Sequence, residues 1–209
     1  MRSLLALLLL AAAPVAPRST PIGITRVRLD TQAGPITLAL DGRHAPRTVA
    51  NFLQYVDDGR LDGTTFYRAA RAKGRGAGGF IEGGIGSDPR RALPPVPLEP
   101  TSRTGLHHGD GAVSMARFTP DSATANFSIL AGASPSMDAH GRDPGFAVFG
   151  RVVDGMAVVK RILAQPAAGG VGVMKGQMLT RPVTIVHAAR LDGSARPTGL
   201  PKPWTIGLR

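Results

Sequence analysis

The chain contains no cysteine, which excludes disulfide scaffolds, thiolate-bound zinc and thiol catalysis and leaves the redox compartment open. Aromatic residues make up only 5% and charged residues 19%, while hydrophobic residues reach 43%, enough for a core and too much for a disordered chain. Lysine is nearly missing: the 25 basic residues are 21 arginines and 4 lysines against 14 acidic residues, a net charge of +11. That bias, with abundant alanine, glycine and proline, is what GC-rich coding produces. The positive charge is dispersed; its densest stretch is Arg68, Arg71, Lys73 and Arg75. No aromatic-interleaved basic motif accompanies it, so nucleic acid is not expected as a partner. The charge predicts attraction to acidic surfaces.

Long apolar runs are also lacking. The longest, Leu4 to Ala13, is shorter than the ~20 residues of a membrane-spanning helix. With Met1-Arg2-Ser3 before it and Pro14-Val15-Ala16 after it, residues 1–20 read as a secretory signal peptide. The expected location is the periplasm or the exterior, the alternative being an uncleaved N-terminal membrane anchor.

Glycine (27) and proline (18) are plentiful, which favours turns over a helical bundle. Val27, Leu29 and Thr31 alternate with polar residues, Gln32-Ala33-Gly34-Pro35 supplies a turn, and Ile36, Leu38 and Leu40 alternate again, predicting a half-buried hairpin. Pro46 opens a helix with Val49, Phe52, Leu53 and Val56 on one stripe, ended by Asp57-Asp58-Gly59. Residues 71–79 and 86–109 read as loops. Short apolar stretches follow at Ala112–Ala116, Phe127–Leu130 and Phe146–Val153. A second helix is predicted over Gly155 to Leu163, with Met156, Val159, Ile162 and Leu163 inward, and a closing strand over Val183–Ala189. The sum is a mainly β, antiparallel barrel capped by helices. Residues 193–209, with Pro197, Pro201, Pro203 and the sole Trp204, are expected to form a weakly ordered tail.

Several familiar signatures fail. Gly74-Arg75-Gly76-Ala77-Gly78-Gly79 matches G-x-G-x-x-G, but a strand rather than a helix follows it, the wrong setting for a dinucleotide. No phosphate-binding P-loop occurs. None of His44, His107, His108, His140 and His187 forms an i, i+4 pair, so no metal is expected. Spacing alone permits a Ser-His-Asp triad, but there is no G-x-S-x-G elbow.

Five stretches in register carry more: Leu61-Asp62-Gly63-Thr64-Thr65-Phe66-Tyr67-Arg68, Phe80-Ile81-Glu82-Gly83-Gly84, Gly111-Ala112-Val113-Ser114-Met115-Ala116-Arg117, Asp121 to Phe127, and Phe146 to Met156. Together they resemble the cyclophilins, peptidyl-prolyl cis–trans isomerases, and most nearly the exported bacterial branch, over residues 24–192. The resemblance implies an eight-stranded antiparallel barrel capped by two α-helices, no cofactor, and proline-containing segments of exported proteins as partners of a monomer. It implies Arg68 as the catalytic residue. It assigns substrate binding to Phe80, Glu82, Met115, Ala116, the backbone of Arg117, Asn126, Ser128 and Phe146.

The pattern is also broken at informative places. Glu82 and Asn126 stand where the family has glutamine, and Ser128 where it has a phenylalanine wall of the proline pocket. Phe146 replaces a histidine or tyrosine, and Gly79 falls where a further phenylalanine is expected, beyond a glycine-rich insertion. Ser136-Met137-Asp138 takes the place of a tryptophan seen in many eukaryotic members. Two functions are therefore open: an isomerase with an altered pocket, or a catalytically weak peptide-binding or chaperone-like module. The missing wall predicts weak binding of cyclosporin-type ligands, tightened by Ser128→Phe.

Overall fold

The computed structural model describes residues 23–72 and 78–205. The proposed signal segment and most of the glycine-rich motif fall outside these residues. Nine strands form one sheet: β1 (Ile24–Thr31), β2 (Gly34–Asp41), β3 (Thr65–Arg71), β4 (Gly79–Gly84), β5 (Ala112–Met115), β6 (Phe127–Ala131), β7 (Ala147–Asp154), the two-residue β8 (Ala167–Ala168) and β9 (Met178–Arg190). All pairings are antiparallel, in the order β1-β2-β7-β5-β6-β4-β3-β9, and β1 also pairs with β9. Eight strands thus close into a barrel, in which each of the eight is paired on both sides. The ninth, β8, only flanks β9.

The opening hairpin forms as its alternation predicts, with Val27, Leu29, Ile36, Leu38 and Leu40 all fully buried. Helix α1 (Pro46–Asp57) buries the predicted stripe and Tyr55 as well. A one-turn helix, α2 (Thr101–Thr104), lies within the stretch read as loop. Helix α3 (Met156–Leu163) buries Val158, Val159, Ile162 and Leu163, while Met156 is only half-buried. The two long helices pack against the barrel, and the centre is aromatic: Phe52 of α1 stands 5.2 Å from both Phe127 of β6 and Phe149 of β7, and Phe66 of β3 lies 5.7 Å from Phe127. Burying each such ring contributes about 1.5–3 kcal/mol. Gly83 of β4 is required here, since a Cβ would sit 2.6 Å from the Phe66 ring.

Within the segment expected as a weakly ordered tail, residues 193–205 are described and make specific contacts with the end of helix α1. Thr198 donates its amide (2.7 Å) and hydroxyl (2.5 Å) to Asp58, and the Arg196 amide donates to Asp57. Trp204 is buried, with the Arg60 guanidinium 4.6 Å and the Arg91 guanidinium 5.4 Å from its ring. Pro203–Thr205 forms a short 3-10 turn, and side-chain contacts anchor the rest of the segment.

Candidate active site

A β-bulge turns Arg68 outward. Phe66 and Ala69 both point into the core, with Gly83 and Ile81 opposite them on β4. Three positions separate the first pair and two the second, so β3 carries one extra residue. Tyr67 and Arg68 therefore both leave the inner face. The Arg68 side chain lies against β4, 15% exposed, with its guanidinium 5.0 Å from the Phe80 ring.

The guanidinium is held from two sides. Its Nη1 donates to Glu82 Oε2 at 2.8 Å, and Nε and Nη2 donate to Gln177 Oε1 at 2.9 and 2.7 Å. Tyr67 donates its hydroxyl to the other Glu82 oxygen at 2.8 Å. Burial, reinforced by the adjacent Glu82 charge and hydrogen bond, pushes the Tyr67 hydroxyl far above its ordinary range, so it remains a donor. Gln177 precedes β9 and escaped the sequence reading; no motif marks it.

From Arg68 the register runs across five strands: Arg68 faces Glu82, Glu82 faces Ser128, Ser128 faces Ser114, and Ser114 faces Val148. Beside this row Ala112, Leu130 and Val148 form a second apolar cluster outside the barrel, joined by Phe80 and Leu106. The row is covered rather than open. Ser128 and Ser114 are 4% and 1% exposed, so Ser128 does not present an empty pocket wall.

His108 closes the row. Its Nε2 lies 2.8 Å from Ser114 Oγ and its Nδ1 2.6 Å from Asp138 Oδ1. Burial lowers the His108 pKa despite the raising effect of Asp138, which favours the neutral ring. In that form Nδ1–H donates to Asp138 and Nε2 accepts from Ser114. The three residues have the order of a nucleophile, base and orienting acid. With Ser114 and His108 both 1% exposed, no acyl substrate reaches the hydroxyl, and the set acts as a buried brace.

The other predicted site residues divide. Met115 is 1% exposed within the main core. It pairs with Phe127 on the inner face, and with Arg117 and Ala147 it lines a small pocket. Ala116 donates its amide to the Asn126 carbonyl at 2.8 Å. The Asn126 side chain is tied to the Gly86 backbone by two bonds, 2.8 and 2.9 Å. Arg117 bonds the Gly145 carbonyl and places its guanidinium 4.9 Å from the Phe146 ring. The structure therefore forms two groups: Arg68, Phe80 and Glu82 in one, and Ala116, Arg117, Asn126 and Phe146 in the other. The β4–β6–β5 ladder joins them. A separate cleft of about 380 Å³, lined by Gln32, Gln165, Thr180 and Arg181 among others, shares no lining residue with either group. Among the described residues no group of side chains is arranged to hold a metal.

Comparison with known proteins places the sequence and the fold. Residues 26–190 match the family model described as cyclophilin type peptidyl-prolyl cis-trans isomerase/CLD. The chain is similar to peptidyl-prolyl cis-trans isomerase A of Dickeya dadantii, 40% identical over 66% of this chain and 70% of that protein. It is also similar to peptidyl-prolyl cis-trans isomerase B of Escherichia coli, 34% identical over 65% and 82%. In fold it resembles a cyclophilin type peptidyl-prolyl cis-trans isomerase of Cryptosporidium parvum, with a TM-score of 0.63 at 20% identity over 82% of this chain and 99% of that one. This chain belongs to the cyclophilin-type peptidyl-prolyl cis–trans isomerases.

Proposed function

We propose that this isomerase acts on proline-containing segments of exported polypeptides, and that Arg68 is its catalytic residue. Rotation about an X-Pro bond breaks amide resonance, with a barrier of ~18–20 kcal/mol. In the twisted amide the prolyl nitrogen becomes pyramidal and offers a lone pair. A fixed cation that donates a hydrogen bond to that lone pair stabilises the transition state more than the planar ground state.

The carrying observation is the state of the Arg68 guanidinium. It has five N–H groups, and its bonds to Glu82 and Gln177 use one each on Nε, Nη1 and Nη2. One N–H on Nη1 and one on Nη2 remain for substrate. Phe80, 5.0 Å beneath it, is an apolar surface for a proline ring. Export rests on the basic start and leucine-rich run of residues 1–20, with a monomer in the periplasm or the exterior as the acting form.

The ion pair with Glu82 favours the second reading, a weakly catalytic peptide-binding module, because the carboxylate offsets the field that catalysis needs. A protease-coupled or exchange-NMR assay on a short X-Pro peptide separates the two. An active wild type, an Arg68→Ala variant that loses most of the gain over the uncatalysed rate, and a Glu82→Gln variant at least as active as wild type support the isomerase. Equal rates for wild type and Arg68→Ala overturn the assignment of Arg68. Intact-mass measurement of protein from the exporting host, showing Met1 retained, overturns signal cleavage.

A further inference from the structure

We infer that the turn preceding β9 is a working wall of the site, with Gln177 as a positioning residue for Arg68. In the same turn, Val171 and Val173 receive an apolar side chain of the substrate next to its proline. The inference rests on the assignment of Arg68 above and adds to it a substrate class: unfolded segments in which proline has an apolar neighbour.

Gln177 does two things at once. Its side-chain oxygen takes the Nε and Nη2 edge of Arg68 at 2.9 and 2.7 Å, and its backbone oxygen takes the Ala69 amide at 2.8 Å. This fixes the guanidinium plane beside the β3 bulge, with Glu82 holding Nη1. A neutral amide orients the cation without cancelling its charge, whereas a second carboxylate would cancel it. The remaining arm, Nε2, donates to the Val173 carbonyl at 2.9 Å. The guanidinium is thus two hydrogen bonds from the segment that carries the valines.

Those valines are held in water by a braced turn. Val171 is 79% and Val173 85% exposed, among the most exposed large apolar residues described. Yet the amide of Met174 bonds Val171 O, that of Lys175 bonds Gly172 O, and that of Gln177 bonds Met174 O, at 3.0–3.2 Å. Gly170, at φ +77°, admits the close pass of the Met174 carbonyl, which a Cβ would meet at 2.3 Å. A frayed loop would expose apolar side chains at little ordering cost. Here the ordering is built in before any ligand arrives, the condition under which apolar contact contributes most to binding. Extended client chain passing over Arg68 and Phe80 is the occupant that this position fits.

The test uses the mature protein, Gln177→Leu, Gln177→Glu, the double variant Val171→Ser/Val173→Ser, and Arg68→Ala. Each is assayed on two X-Pro peptides, one with leucine and one with serine flanking the proline. Gln177→Leu is expected to lower kcat about tenfold with little change in KM, the pattern of an interaction made in the transition state. Gln177→Glu keeps the side-chain length and both acceptor bonds to Arg68 but loses the Nε2 bond to the Val173 carbonyl, so it should still fold while kcat falls. The valine variant should lower the preference for the leucine peptide by about threefold for each valine, through KM. Wild-type kcat in both Gln177 variants overturns the positioning role. An unchanged preference in the valine variant overturns the apolar wall, as does a dimer in sedimentation that this variant dissolves, since a second copy would then cover the valines. Full activity in Arg68→Ala removes the reading on which the inference rests. Loss there together with wild-type Gln177 variants removes the inference alone.

Discussion

The carboxylate of Glu99 closes the N-terminus of helix α1, accepting the Thr48 amide at 2.8 Å and the Thr48 hydroxyl at 2.7 Å from 51 residues away. The Arg47 amide donates to its other oxygen at 3.1 Å. Ala45, at the capping position, has no side chain that can do this, so a distant loop supplies the cap and meets the positive end of the helix dipole. Replacing Glu99 by alanine leaves buried donors unmatched and should cost about 1–3 kcal/mol. Urea denaturation checks it; an unchanged midpoint would mean that water satisfies the helix end.

The covered position of Ser128 reverses the expectation that a phenylalanine there would rebuild a pocket wall. Ser128 is 4% exposed and its neighbour in register, Ser114, is braced by His108. Ser128→Phe should therefore overpack the site and destabilise the protein by about 1–3 kcal/mol. It should not tighten a cyclosporin-type ligand. Calorimetric melting with ligand titration measures both, and tighter binding at unchanged stability would contradict the packing argument.

The tail contributes to stability through a buried charge. Asp58 and Arg60 pair at 2.8 Å with side chains 1% and 3% exposed, and Thr198 and Trp204 complete their surroundings. Trp204→Ala removes a buried ring that two guanidinium groups contact and should cost about 3 kcal/mol. Truncation after Asp192 should cost at least as much. Coincident denaturation curves for truncated and full-length protein would show the tail to be dispensable.

Stability should fall toward acid in two steps. His108 titrates below its ordinary value chiefly because it is buried, so between the two values the unfolded chain binds the extra proton. That contribution is complete above about pH 6.5 and declines as pH drops below it. Burial alone would raise Asp58 and Asp138, but hydrogen bonds from Thr198 and Arg60 to the first and from His108 to the second leave both below the usual carboxylate range. Their contribution is present above about pH 4 and is lost as pH falls through the lower folded values. Melting temperatures from pH 8 to 3 test this, and His108→Gln should remove the first step. A flat profile between pH 7 and 5 in the wild type would refute it.

The hairpin, helix α1 and most of helix α3 could be read from the chain because their apolar periods of 2 and 3.6 are local properties of backbone geometry. The family pattern Phe66-Tyr67-Arg68 falls on β3, facing Glu82 and Gly83 of β4. The short apolar runs do form β5 and β6, but the same logic does not say which of their residues face inward. Every residue of both strands is buried, because Phe80, Leu106 and Val148 cover their outer side. Alternation then vanishes, and nothing in the sequence separates Met115, which faces the core, from Ser114, which does not.

What the sequence determined by itself was the opening hairpin, the two longer helices and several short apolar strands of a mainly β barrel, to which the family resemblance added Arg68 and Phe80 as expected site residues. The tertiary structure alone decided which way that arginine points and what holds it. A single extra residue in β3 turns Arg68 outward, and this is visible only against the register of β4. Gln177 grips it from 109 residues away, just as Glu99 caps α1 and Thr198 reaches Asp58. Such contacts join residues whose separation along the chain has no period, so they leave no local trace and exist only once the barrel has closed.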